Sequence, residues 1–177
     1  KLTVSINSLR LKNLDPFMPD DYYFRGTLQG EATVGNLYNE LYFSSNLFVD
    51  SLSLNEYLLG KMDLQNQWDN DRKRITLGGQ LAKKGRPWFT LSGFYWPEKV
   101  GEELAVLAKM DTLNLEFLNA FLPQEDFSDL SGTATGRVNI KGSLSKPQLK
   151  GELDFKDGRI SVEYLNTTYA FGGKVGI

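Results

Sequence analysis

An all-β fold, built as one long antiparallel sheet folded into a groove (a "taco") with an apolar interior, is what this 177-residue sequence predicts. Three observations lead there. Apolar and polar residues alternate with the period of two that strands impose, most plainly where Leu58, Gly60, Met62, Leu64 and Trp68 interleave with Leu59, Lys61, Asp63, Gln65 and Gln67. Glycine is abundant, at 17 residues, and Gly60, Gly79, Gly132, Gly136, Gly142 and Gly151 fall on the apolar parity. The one stretch that reads as a helix is short, at residues 116–122.

Composition excludes several functions. Twenty basic against 22 acidic residues leave a net charge of -2, so nothing points to a nucleic-acid partner. There is no cysteine, hence no disulfide framework and no thiol chemistry. There is no histidine either, which removes the commonest general base and the commonest zinc ligand together. No leader and no 18-residue apolar run is visible. The sequence starts within one alternating pattern (Lys1 to Ile6) and stops within another (Lys174 to Ile177), so an excerpt of a longer polypeptide is expected.

In chain order, Leu2, Val4 and Ile6 share a parity, which Leu9 and Leu11 abandon after Asn7-Ser8. Such a switch needs a bulge or a tight bend. NLDPFMP follows, punctuated by Pro16 and Pro19 and too short for more than one turn of helix. Tyr23 to Val34 carries Gly26 and Gly30, with Gly35 just beyond. Glu40 to Leu54 is strand-like: Leu41, Phe43, Leu47 and Val49 share a face, and Leu52 and Leu54 switch after Asp50-Ser51. Asn70-Asp71 turns the chain into Ile75, Leu77, Gly79 and Leu81; Lys83 to Arg86 is a second turn. Trp88 to Trp96 is aromatic on both parities and leaves its face open. Leu104, Val106, Ala108 and Met110 alternate again. Val138 and Ile140 oppose Arg137, Asn139 and Lys141, with Leu144 expected on the apolar side. Leu149, Leu153 and Phe155 alternate with Lys150, Glu152, Asp154 and Lys156; Asp157-Gly158 is a hairpin signal, after which Ile160, Val162 and Tyr164 continue the apolar face.

The chain also repeats itself. Ile6 to Pro19 lies over Met110 to Pro123 without a gap at an offset of 104, matching Leu9, Leu11, Leu14 and Phe17 to Leu113, Leu115, Leu118 and Phe121. Gly26-Thr-Leu-Gln-Gly30 matches Gly132-Thr-Ala-Thr-Gly136 at an offset of 106. Two copies are expected, residues 1–105 and an incomplete 106–177, stacked in a single β unit so that each covers the apolar face of the next.

The string L-x-G-x-x-x-G-x-x-x-I-x-G-x-L-x-x-P-x-L-x-G-x-L-x-F over Leu130 to Phe155, followed by Val162 to Tyr169, resembles the C-terminal region of the TamB family, related to AsmA-like proteins. The hairpin from Tyr57 to Asp69 and on to Ile75-Thr-Leu is similar to the segment preceding it. The resemblance implies a folded-over sheet with an apolar interior, in a protein anchored in the inner membrane of a Gram-negative bacterium and spanning the periplasm. It further implies phospholipid transport to the outer membrane and a part in outer-membrane protein assembly with a TamA-like barrel partner. The stretch in hand carries neither the anchor nor the tail that would meet that barrel.

Alternation by itself is the signature of a sandwich or barrel core; the resemblance makes the same residues the lining of a groove for phospholipid acyl chains. They are Leu58, Met62, Leu64, Trp68, Ile75, Leu77, Leu81, Val106, Met110, Val138, Ile140, Leu144, Leu149, Leu153, Phe155, Ile160 and Val162. An acyl chain of about 16 carbons gains at most roughly 12 kcal/mol by leaving water, so a strip of that size does not stand empty and wet. No enzyme, cofactor or metal site is expected. Asp69-Asn70-Asp71 lacks the later ligands of a calcium loop and reads as a hairpin turn. Glu102-Glu103 and Gln124-Glu125-Asp126 read as solvated loops, and Ser143 to Lys146 as a turn. Two other readings stay open: a scaffold pairing its edges with outer-membrane strands, and a passive β-sandwich.

Overall fold

A computed structural model describes residues 1–18, 22–35, 42–123 and 125–177. Glu40, Leu41, Pro19 and Gln124, all used in the sequence reading, lie outside the described residues. Ten strands follow one another as a meander, each hydrogen-bonded antiparallel to the next. They are β1 (Leu2–Arg10), β2 (Phe24–Gly35), β3 (Tyr42–Leu54), β4 (Tyr57–Asp69), β5 (Arg74–Lys83), β6 (Arg86–Tyr95), β7 (Leu104–Asn114), β8 (Phe127–Gly142), β9 (Pro147–Val162) and β10 (Thr167–Gly176). An all-β fold with one long antiparallel sheet is thus what the chain adopts. The sheet is open and uncurled: β1 pairs only with β2 and β10 only with β9, at opposite ends of the order.

Among the described residues, three short 3-10 helices join strands. The one expected at 116–122 occupies Leu115–Phe121, and a third spans Glu163–Leu165. The segment NLDPFMP, expected to hold no more than one turn of helix, contributes to a 3-10 helix over Leu11–Phe17. That helix lies 104 residues before the second, and its closing bond (Met18 N–H to Asp15 O) recurs as Leu122 N–H to Asn119 O. Pro16 is tolerated because so short a helix has few internal bonds to lose.

Every parity switch in the sequence is absorbed by a bulge. The register slips between Ile6 and Leu9, Val49 and Leu52, and Met110 and Leu113, so hydrophobic side chains on both sides of each slip face the same way. Ser51 and Thr112 take the left-handed conformation there, at φ 55 and 57. Asp157-Gly158 is corrected by this logic. It is not a hairpin: β9 runs straight through it, Asp157 (φ 53) sits in a bulge between Phe155 and Gly158, and the chain turns back only at Glu163–Asn166. Asp-Gly supplies a positive φ, and a bulge uses that as readily as a turn does.

Among these bulges, Gly30 (φ 131) and Gly136 (φ 155) are required as glycines. A Cβ on either would run into a carbonyl oxygen of the adjacent strand, at Asn46 or Glu152. The two buried clusters sit beside the bulges. Leu11, Val49, Leu52, Leu54 and Leu59 form one; Leu113, Leu115, Leu130 and Ala134 form the other. Trp88 and Phe117 pack against both, their rings 6.3 Å apart.

Candidate functional site

Residues directly opposite in an antiparallel sheet share a face, so the pairings trace rows across the molecule. Ile6, Gly30, Leu47, Leu64, Gly79, Leu91, Ala108, Val138 and Gly151 make one row. Leu9, Leu28, Val49, Met62, Leu81, Phe89, Met110, Gly136 and Leu153 make the next, on the side of the helices Leu11–Phe17 and Leu115–Phe121. On the other side run Leu77, Gly93, Val106, Ile140 and Leu149, then Trp68, Ile75, Tyr95 and Leu104. The reverse face carries Thr3, Thr33, Ser44, Gln67 and Thr76 in one row and Lys109, Arg137 and Glu152 in another.

Fifteen of the seventeen groove residues named from the sequence therefore share one continuous apolar face. Phe155 keeps the parity of Leu153, and Ile160 and Val162 belong because the Asp157 bulge restores theirs, Ile160 facing Tyr169 and Val162 facing Thr167 on β10. Leu58 and Leu144 do not belong. The register slips between Leu52 and Ser53, so Leu58 pairs with Ser53 and stands 55% exposed, while Leu59 is buried. Gly60, with φ 108, is the signal that could have warned of this. Leu144 lies in the bend between β8 and β9, 61% exposed. The ambiguous aromatic strand resolves as Phe89, Leu91, Gly93 and Tyr95 on the apolar face, with Thr90, Ser92 and Phe94 opposite.

The face has two unlike margins. Along the first, where strands are joined by the helices Leu11–Phe17 and Leu115–Phe121, side chains from those helices fold back onto the sheet. Asn119 fastens the second helix through its Nδ2, which donates to Leu130 O at 2.8 Å, and its Oδ1, which accepts from Leu130 N–H at 2.9 Å. At the equivalent place in the first helix, Asp15 receives the Arg25 guanidinium at 2.8 Å. Among the described residues, the connections on the second margin are turns and bends. Val34, Phe43, Trp68, Ile75 and Pro97 line an open depression of about 490 Å³ there, with Lys73 and Glu98 at its rim. Sequence reasoning missed one polar interruption of the face, where Asn66 Nδ2 donates to buried Ser45 Oγ at 3.1 Å.

Among the described residues, charge lies on the reverse face, in the turns and on the short helices. Asp69 meets Arg72 and Arg74 at 3.3 Å each, and Arg74 stacks over the Phe94 ring at 3.5 Å. Desolvation pushes the Asp69 carboxyl up, but bonds from the Arg72 backbone and from both guanidinium groups outweigh it and hold the carboxyl below its ordinary value. Glu102 is exposed; Glu103 is half-buried, with Oε2 lacking a hydrogen-bond partner among the described residues. No group of three His, Cys, Asp or Glu side chains able to hold a metal occurs among the described residues. The geometry offers a broad, partly exposed apolar surface, backed by a polar reverse face. No family model, no curated protein and no solved structure matches the chain.

Proposed function

We propose that the chain is a non-catalytic segment of a periplasmic β-groove, shielding phospholipid acyl chains on their way to the outer membrane and supporting outer-membrane protein assembly beside a TamA-like barrel. The motif from Leu130 to Phe155 supports the family, and one observation carries the chemistry. The chain exposes 11847 Å², whereas a compact monomer of 20.0 kDa exposes about 8,700 Å² by the usual scaling of surface with mass. The excess of about 3,000 Å² is what a single sheet layer leaves uncovered when nothing is packed on one face. Val4, Leu149 and Val175 stand 50%, 52% and 48% exposed on that face. Acyl chains suit it, because aliphatic side chains and glycines interleave in its rows without a matching polar pattern.

Strand templating is favoured by a different observation, the two unpaired edges at β1 and β10. A passive sandwich is favoured by none, since a sandwich needs a second layer.

The test is site-specific photo-crosslinking in cells. Probes at Leu64 and Ile140, on the apolar face, are expected to capture lipid, while those at Gln65 and Asn139, on the reverse face beside Gly78 and Lys150, capture none. Ile140→Arg is expected to abolish capture while the chain stays folded, at a cost of a few kcal/mol. Equal labelling of both faces, or adducts only between two copies of the chain, would end the lipid reading.

A further inference from the structure

The polar reverse face of the sheet has two unlike halves. Over β7 to β9 it carries Lys109, Arg137 and Glu152 in one row, with Thr135 opposite Asp154 in the next. Over β2 to β5 it is almost free of charge. There Thr33, Ser44, Gln67 and Thr76 stand opposite one another on four consecutive strands, and Glu31, Asn46, Gln65 and Gly78 form the neighbouring row. A depression of about 470 Å³ opens along these two rows, and among the described residues Glu31 is the only charged one lining it.

We infer that this depression is a binding site for a linear, neutral, β-1,4-linked glycan, which lies across the strands with one sugar ring per strand. The site is independent of the lipid reading, since it uses the opposite face of the sheet.

Hydrogen-bonding capacity selects the ligand. Asn46, Gln65, Gln67 and Thr76 are exposed, and their side chains make no hydrogen bond to another described residue. Each primary amide offers two donors and two acceptor sites, and each hydroxyl offers one donor and two, which is the inventory that adjacent sugar hydroxyls match. An apolar ligand would strand these groups without partners. An ionic ligand would lose its hydration and meet only Glu31, which already accepts from Ser5 Oγ at 3.4 Å. Spacing selects the linkage. Neighbouring strands lie about 4.8 Å apart, close to the advance per ring of an extended β-1,4-linked chain, whereas an α-1,4-linked chain coils and loses that register. Gly78 ends the second row without a side chain, which leaves room for a ring beside Thr76.

The test titrates the whole, isotope-labelled chain with cellotetraose and chitotetraose, which share the β-1,4-linked backbone and differ in the acetamido group, and with maltotetraose as the α-1,4-linked control. The readout is the NMR shift of the side-chain amide groups of Asn46, Gln65 and Gln67. At least one β-linked tetraose is expected to shift all three saturably, with an affinity at least about tenfold above that of maltotetraose; the preference between the two β-linked sugars tells a plain glycan from an N-acetylated one. Gln67→Ala is expected to weaken binding at least about threefold, and Thr76→Arg, which fills the trough with a charged side chain, to abolish it. Both positions are exposed, so the fold is retained, as unchanged backbone shifts at buried Val49 and Ala134 would show. Three results overturn the proposal: no saturable shift with either β-linked sugar, equal affinity for maltotetraose, or unchanged affinity in both variants.

Discussion

The two margins of the apolar face are made from the same kind of residue but meet water differently. Along the helix-bearing margin Val49, Leu52, Leu54 and Leu115 are 1–5% exposed, because the 3-10 helices hem the sheet there. Along the turn-bearing margin Leu149 is 52% exposed, and an open depression lies over Trp68 and Ile75. The hem buries the apolar side chains it covers, and the open margin leaves its own in contact with solvent. A second layer that would merge these roles is absent among the described residues.

Truncation at the two margins should break the comparison most visibly. Leu52→Ala and Leu115→Ala are expected to cost about 3 kcal/mol each, as cavities in well-packed sites do, while Leu149→Ala costs less than about 1 kcal/mol. Chemical denaturation of the three variants measures this, and equal costs would show that the margins do not differ.

Glycine at the bulges is the next lever. Gly136→Val places a side chain against the Glu152 carbonyl at a φ that valine avoids, and a loss of about 2–3 kcal/mol is expected. A cost near zero would mean that the strands can separate there.

The two helices sharpen the comparison further. Asn119→Ala leaves both Leu130 backbone groups without their side-chain partner, so about 2 kcal/mol is expected, together with faster hydrogen exchange at Leu130 N–H. Asn114 Oδ1 accepts from Glu116 N–H at 2.9 Å, whereas Arg10, its counterpart, makes no capping bond. Arg10→Asn should therefore stabilise the first helix by about 0.5–1 kcal/mol, read as a raised melting temperature.

Asp69 gives the smallest effect. Its carboxyl is held below the ordinary value of 3.8, so its contribution is present at neutral pH and is lost as pH falls through the lowered value. Asp69→Asn should lower stability slightly at pH 7 and leave it unchanged near pH 2. A difference that grows on acidification would contradict the ion cluster with Arg72 and Arg74.

Much of this was legible in the residues. Alternation placed Met62, Leu64, Val138 and Ile140 on one face because a strand has no other way to sort its side chains. The parity switches at Ser8, Ser51 and Thr112 announced bulges, since one residue of slip would otherwise turn the hydrophobic set outward. Misreadings arose where one local signal serves two structures. Asp157-Gly158 offers a positive φ to a hairpin or a bulge, and only the pairing of β9 with both neighbours decides between them. Leu58 and Leu59 are chemically alike, so the slip at Leu52 chose which is buried.

By itself, then, the sequence determined an all-β chain with an internal repeat and one apolar side, because side-chain period and glycine placement are local properties of the backbone. Only the tertiary structure decided that the sheet of the described residues stays open and that the helices Leu11–Phe17 and Leu115–Phe121 lie along the same margin. Those outcomes depend on which distant strands pair and which do not, and no stretch of residues encodes them singly.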